Sequence, residues 1–122
     1  MQQRAWGKDS EPGKWDTSSA GHVDPGEGPL EAAERELDEE LGLNEVVLEE
    51  IFRLEASVAT GYEFVNVFLC RENSPISPDS EEIIAWRWCS SEELRSWMRE
   101  RPDIFTSVFK RIVTNLRERK IL

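Results

Sequence analysis

Three glutamates, Glu36, Glu39 and Glu40, stand at i, i+3 and i+4 in the run AERELDEELGL. In a helix that spacing stacks their carboxylates on one face. Like charges this close repel, so the cluster destabilises an empty helix. A hard divalent cation, Mg2+ or Mn2+, relieves the conflict, because such ions take oxygen ligands and share their shell with substrate phosphates. A cation held there can screen a diphosphate, polarise phosphorus and lower the pKa of bound water. Arg35, next to Glu36, offers a planar fork that orients a carboxylate, and Glu27 upstream is its natural acidic partner. On spacing alone a glutamate-rich helix is more often a solvated face than a metal platform.

The segment that carries these residues has helical punctuation. Pro29 suits the first helical position. Leu30, Ala33, Leu37 and Leu41 recur at three- and four-residue steps as one apolar stripe, and Gly42 follows where a helix C-terminal glycine belongs. A helix over 29–41 is expected, with the carboxylate face away from the Leu37–Leu41 side. Before it, 7–19 is rich in Gly, Pro, Asp and Ser and reads as a loop. Ala20 to Val23 reads as a short strand leading into the turn Asp24-Pro25-Gly26. After the helix, Val46 to Ala59, Tyr62 to Cys70 and Ile83 to Cys89 read as strands, divided by a Thr60-Gly61 turn and a loop from Asn73 to Ser80 with two prolines. Ser90 with Glu93 forms a capping box for a helix over 91–99. Phe105, Val108, Phe109, Ile112, Val113 and Leu116 give the apolar stripe of a final helix. The order of elements points to one α/β or α+β domain over 1–122.

Composition narrows the partners. The chain has 122 residues, 39% hydrophobic and 33% charged, which fits one globular domain. No apolar run is long enough to span a bilayer, and MQQRAWGKDS lacks the apolar core of a signal peptide. Cys70 and Cys89 have no metal-ligand spacing and read as reduced thiols of a cytoplasmic protein. The formal net charge is −10, which disfavours nucleic acid polymers as partners. A small phosphate-bearing substrate remains compatible when metal ions sit between acid and phosphate. Trp15, Trp86, Trp88 and Trp97 could stack on a substrate, although aromatic residues at such spacing are more often core.

The whole segment adds specificity. Gly21, Glu27, Arg35, Glu36, Leu37, Glu39, Glu40, Gly42 and Leu43 match every fixed position of the Nudix box over residues 21–43. The chain therefore resembles the Nudix hydrolase superfamily. That resemblance implies an α/β/α sandwich around a mixed sheet, with the box as a loop–helix–loop over the active site. It implies cleavage of a nucleoside diphosphate linked to another moiety, or of a related diphosphate, with Mg2+ or Mn2+. Carried over residue by residue, it makes Glu36, Glu39 and Glu40 metal ligands, with the Ala20 carbonyl as an extra ligand. Arg35 would orient Glu36 and pair with Glu27, and Gly21 and Gly42 would be structural turns. The base that activates water would be Glu36 first, or Glu63, which would then stand at the metal as well.

The phrase PGKWDTSSAGHVDPGE, the later WRWCSSEEL and the pair Phe105-Thr106 resemble one branch, that related to isopentenyl-diphosphate isomerase. Those isomerases carry an essential cysteine immediately before a Gly-His pair; here the position is Ala20, ahead of Gly21 and His22. They also lack the full set of box carboxylates that this chain keeps. Both departures favour hydrolysis over isomerisation. Lys14, Trp15 and His22 become candidates for substrate contact. A non-catalytic binding module on the same fold is the third reading, against which the intact glutamates argue. Members of this branch have a strand ahead of the segment corresponding to MQQRAW. The first strand is thus expected to be missing or truncated, leaving an edge that a homodimer would cover.

Overall fold

The computed structural model describes residues 1–71 and 74–122. The chain runs through β1 (Gln2–Arg4), β2 (Trp15–Asp16), α1 (Pro29–Leu41), β3 (Leu48–Leu54), β4 (Val65–Cys70), β5 (Ile83–Trp86), α2 (Ser91–Glu100) and α3 (Ser107–Glu118), with single 3-10 turns at Val58–Thr60 and Pro102–Ile104. Two strands, a helix, three strands and two helices follow in order as an α+β domain, the class read from the sequence. The strands form two antiparallel sheets, ordered β2-β1-β5 and β3-β4. Parallel pairing among the described residues is confined to one bridge, Trp15 to Phe105, so the mixed character expected of the sheet is slight. The segment at the chain start forms a strand of three residues, and it is the middle one of its sheet.

Helix α1 has the limits its punctuation set. Pro29 opens it, and Gly42 closes it in the left-handed region at φ 68°, donating its N–H to the Asp38 carbonyl at 2.8 Å. A helix end leaves carbonyls without partners. Here Ser77 N–H donates to the Leu41 carbonyl at 2.7 Å and Asp79 N–H to that of Glu40 at 2.8 Å. The segment before β5 is therefore latched to the end of the helix. The loop expected from Asn73 begins outside the described residues. Leu37, Leu41 and Leu43 pack with Ile83 in one cluster. The buried side of α1 is Ala32, Leu37 and Leu41, while Leu30 is exposed.

Two further clusters meet on α3. Ile112, with Val108 and Leu116, covers Phe52, Leu54 and Val67 of the β3-β4 ladder. Phe109 and Val113 pack with Phe105 and Leu94, joined by Trp15 and Trp97. Cys70 and Cys89 are half-buried in separate clusters. Trp86 and Trp88, for which core places were the stronger expectation, are exposed and line a shallow slot with Pro75 and Ile76. Strands β3, β4 and β5 are shorter than the β-rich stretches that suggested them, because Ser57–Tyr62 closes into a capped 3-10 turn and pairing stops at Trp86.

Thr106 joins these layers. It is fully buried, its N–H donates to the Trp15 carbonyl at 2.9 Å, and its Oγ1 accepts from Phe109 N–H at 3.2 Å as the N-cap of α3. Losing such a cap costs roughly 0.5–2 kcal/mol. Thr106→Ala is expected to lower the unfolding free energy obtained from urea titration by an amount in that range, with Thr106→Ser recovering most of it.

Candidate active site

Arg35 organises the box. Its Nε donates to Glu27 at 2.8 Å and its Nη2 to the other Glu27 oxygen at 2.9 Å. Nη2 also donates to the His22 carbonyl at 3.0 Å, and Nη1 donates to Glu36 at 2.7 Å and Glu39 at 3.3 Å. Asp24 lies 3.3 Å from the same guanidinium. The Glu27 side of this is the bidentate pairing that fits a guanidinium to a carboxylate. Glu27 also accepts from Asp24 N–H at 2.9 Å. The Arg35 hydrogen bond, with this second one, holds the Glu27 carboxyl at about 2, well below its ordinary 4.5. In turn Glu27 and Glu36 push the guanidinium further toward its protonated form.

Residues 20–23 are irregular, not the strand expected of them. Their backbone groups go to box side chains instead: Ala20 N–H donates to Glu40 and the His22 carbonyl accepts from Arg35. Gly21 explains the close approach. A Cβ built there would lie 2.1 Å from the Glu36 carboxyl carbon, so only glycine lets that carboxylate rest against the loop. Glu36 is consequently half-buried between Gly21 and Arg35.

Glu40 is held differently. Its Oε2 accepts from Ala20 N–H at 2.9 Å and closely from the Ser19 hydroxyl. Burial pushes its carboxyl up; the bonds from Ser19 and Ala20 pull it down, and the charges of Glu36 and Glu82 push it up again. Ser19 and Glu82, which pairs closely with Lys8, were absent from the sequence reading. Ser19 lies twenty-one residues from its partner, and no local spacing signals such a contact.

The three box carboxylates are therefore divided, rather than stacked together as their spacing suggested. Glu36 and Glu39 lean on Arg35, and Glu40 leans on Ser19 and Ala20. Repulsion sends each to the nearest positive or N–H partner. Among the described residues no three acidic, histidine or cysteine side chains converge as a ready metal cage. The donor chemistry nonetheless fits a hard divalent cation: carboxylate oxygens on neighbouring turns, one of them half-buried beside two like charges.

The remaining candidates fall in two places. His22 Nδ1 lies 3.2 Å from Glu63 Oε2, both exposed. Glu63 falls in the turn before β4, although the strand was expected to run from Tyr62, and this contact ties that turn to the box loop. Trp15 is half-buried in the cluster with Phe105 and Phe109, a core place, and among the described residues no hydrogen bond or ion pair joins it or Lys14 to the carboxylates.

Two outcomes follow from this electrostatic layout. Glu27 stays ionised in the fold where the unfolded chain takes up a proton, so its contribution is full above about pH 4.5 and is lost as pH falls toward 2. Acid titration of urea stability is expected to be flatter in that window for Glu27→Gln than for the parent. Glu40 has the opposite sign: its raised carboxyl makes the charged form a burden at neutral pH. A glutamine amide oxygen can still accept from Ser19 and Ala20. Glu40→Gln is thus expected to raise the melting temperature in EDTA at pH 7 by a few degrees.

A family model described as NUDIX domain matches residues 1–109. The chain is 35% identical over 114 residues to a Burkholderia multivorans protein named isopentenyl-diphosphate Delta-isomerase, covering 89% of this chain and 64% of that one. A Streptomyces avermitilis protein of the same name is 35% identical over 119 residues, covering 93% of this chain and 59% of that one. The chain thus spans less than two thirds of the length of these relatives. Nudix hydrolase 3 of Arabidopsis thaliana is 38% identical over 111 residues, which are 80% of this chain and 14% of that protein. Among solved structures, the Deinococcus radiodurans protein DR0079 superposes with a TM-score of 0.81 at 22% identity, covering 93% of this chain and 71% of its own. That likeness establishes a shared fold.

Proposed function

Given that the chain belongs to the NUDIX family, we propose that it is a divalent-metal-dependent hydrolase of a small-molecule diphosphate linkage. The observation that carries this reading is the orientation of Glu36 between Gly21 and Arg35, with Arg35 itself locked by Glu27. A helix that served only as a solvated face would have no need to pin one carboxylate so closely.

Glu36, Glu39 and Glu40 would hold Mg2+ or Mn2+, with the Ala20 peptide at the edge of the same site. The metal, when bound, supplies charge neutralisation of the diphosphate and a bound water of lowered pKa. The protein's part is orientation. Arg35 fixes which Glu36 oxygen is occupied and leaves the other for a ligand or a proton. Ser19 and Ala20 keep Glu40 from swinging into solvent. Glu36 is the first choice for taking the proton from the attacking water. Glu63 is the second, since its contact with His22 brings it to the box loop. His22, Lys14 and Trp15 remain proposed substrate contacts, with Trp15 the least supported because of its core packing.

A second reading, isomerisation, is supported by the relatives named isopentenyl-diphosphate Delta-isomerase. Against it stand Ala20, where the isomerases carry a cysteine, and the complete set Glu36, Glu39 and Glu40. The two are separated by product: phosphorylated fragments from a hydrolase, a rearranged diphosphate from an isomerase.

The test is turnover of a panel of nucleotide-linked and isoprenyl diphosphates with Mg2+ or Mn2+. Glu39→Gln and Glu40→Gln are each expected to lower kcat/KM at least about tenfold. Gly21→Ala, which displaces the Glu36 carboxylate without touching the core, is expected to fall by a similar factor with little change in melting temperature. Metal-independent turnover, or turnover indifferent to all three substitutions, would remove the reading; a rearranged product would replace it with the isomerase.

A further inference from the structure

Charge is divided along this chain. Up to Trp86 there are twenty acidic and six basic residues; from Arg87 onward there are nine basic and five acidic. Part of the basic excess is gathered in a groove of about 530 Å3 between α2 and α3. Arg95 and Arg99 of α2 line it with Lys110 and Arg117 of α3, over a floor that includes Met98 and Val113, and Glu92 is its one acidic lining residue.

Ion pairs among the described residues are made by Arg4, Lys8, His22, Arg35, Arg53 and Arg87, and by none of these four cations. In a chain of formal charge −10 this is no shortage of acids. Arg99 and Arg117 lie in last helical turns, where a cation complements the helix end. Arg95 has no such role, and Lys110 sits at the end of the first turn of α3, the end that disfavours a cation. Four like charges facing one concavity raise its positive potential, and an anion relieves it.

We propose that this groove is a second, metal-independent anion site for a small molecule bearing two or more linked phosphates. Guanidinium forks match phosphate oxygens bidentately, and a lysine adds a point charge. The volume falls within the range of small-molecule clefts, roughly 300–1,000 Å3, and exceeds what one phosphate fills. The box carboxylates repel a free polyphosphate unless cations intervene, whereas this groove attracts it directly. The acidic face of a second copy is the competing occupant. Exposed ion pairs contribute little each, and a contact between two different faces closes only where its rotation generates a ring, so the small anion is favoured.

The test is calorimetric titration with pyrophosphate in EDTA at low ionic strength. EDTA silences the box, so this result stands or falls apart from the hydrolase reading. Saturable binding is expected that weakens with added salt. It should be at least about tenfold weaker in Arg95→Gln/Arg117→Gln, and likewise in Arg99→Gln/Lys110→Gln, given the strength of charge-assisted hydrogen bonds. It should persist in Glu39→Gln. No binding, or binding that both double variants retain, overturns the site. So does self-association in sedimentation that the same variants abolish without any pyrophosphate binding.

Discussion

Every donor of the Arg35 guanidinium is in use. Five N–H groups meet Glu27 twice, Glu36, Glu39 and the carbonyl of His22. One planar group therefore fixes a loop and a helix that share no ladder. Through Glu27 and His22 it folds residues 22–27 onto α1, and through Glu36 it sets the carboxylate that rests on Gly21. Remove it and Asp24, Glu27, Glu36 and Glu39 face one another without a cation. The fork is rigid and the carboxylates on α1 are spaced by the helix, so few geometries satisfy all five donors at once.

The site so made is held at some expense to the fold. A half-buried Glu40 beside Glu36 and Glu82 is an unfavourable place for charge. The rest of the domain compensates. The latch of Ser77 and Asp79 on the last carbonyls of α1 keeps the helix from fraying where its acids are densest. Leu37, Leu41 and Ile83 then seat it. On α3, Phe109 and Ile112 serve two different clusters, so the helix farthest along the chain secures the strand that leads to Ser19 through the Thr106–Trp15 hydrogen bond.

Much of this was legible in local sequence. Pro29 and Gly42 marked the ends of α1 because proline and a left-handed glycine act within one turn. Ser90 with Glu93 gave the start of α2 for the same reason, and both bonds of that box are present. The Arg35–Glu27 pair followed from charge and reach. What the sequence concealed depends on distant chain segments meeting. The Ser19–Glu40 bond, the 77–79 latch and the Glu82 field at Glu40 leave no periodicity to read. Ala20 to Val23 had strand-like composition, but its backbone is committed to side chains of α1. Trp86 and Trp88 were ambiguous because exposure is decided by what covers an edge strand, not by the strand itself.

In the proposed hydrolase Arg35, without touching a metal, aligns the carboxylates that would bind it. The most direct test of this alignment is Mn2+ binding followed by electron paramagnetic resonance in the parent and in Arg35→Lys, which keeps the charge and loses the fork. Mn2+ affinity at least about tenfold weaker in the variant, with unchanged far-ultraviolet circular dichroism, is expected. Equal affinity in the two proteins, or no Mn2+ binding by the parent, would contradict it.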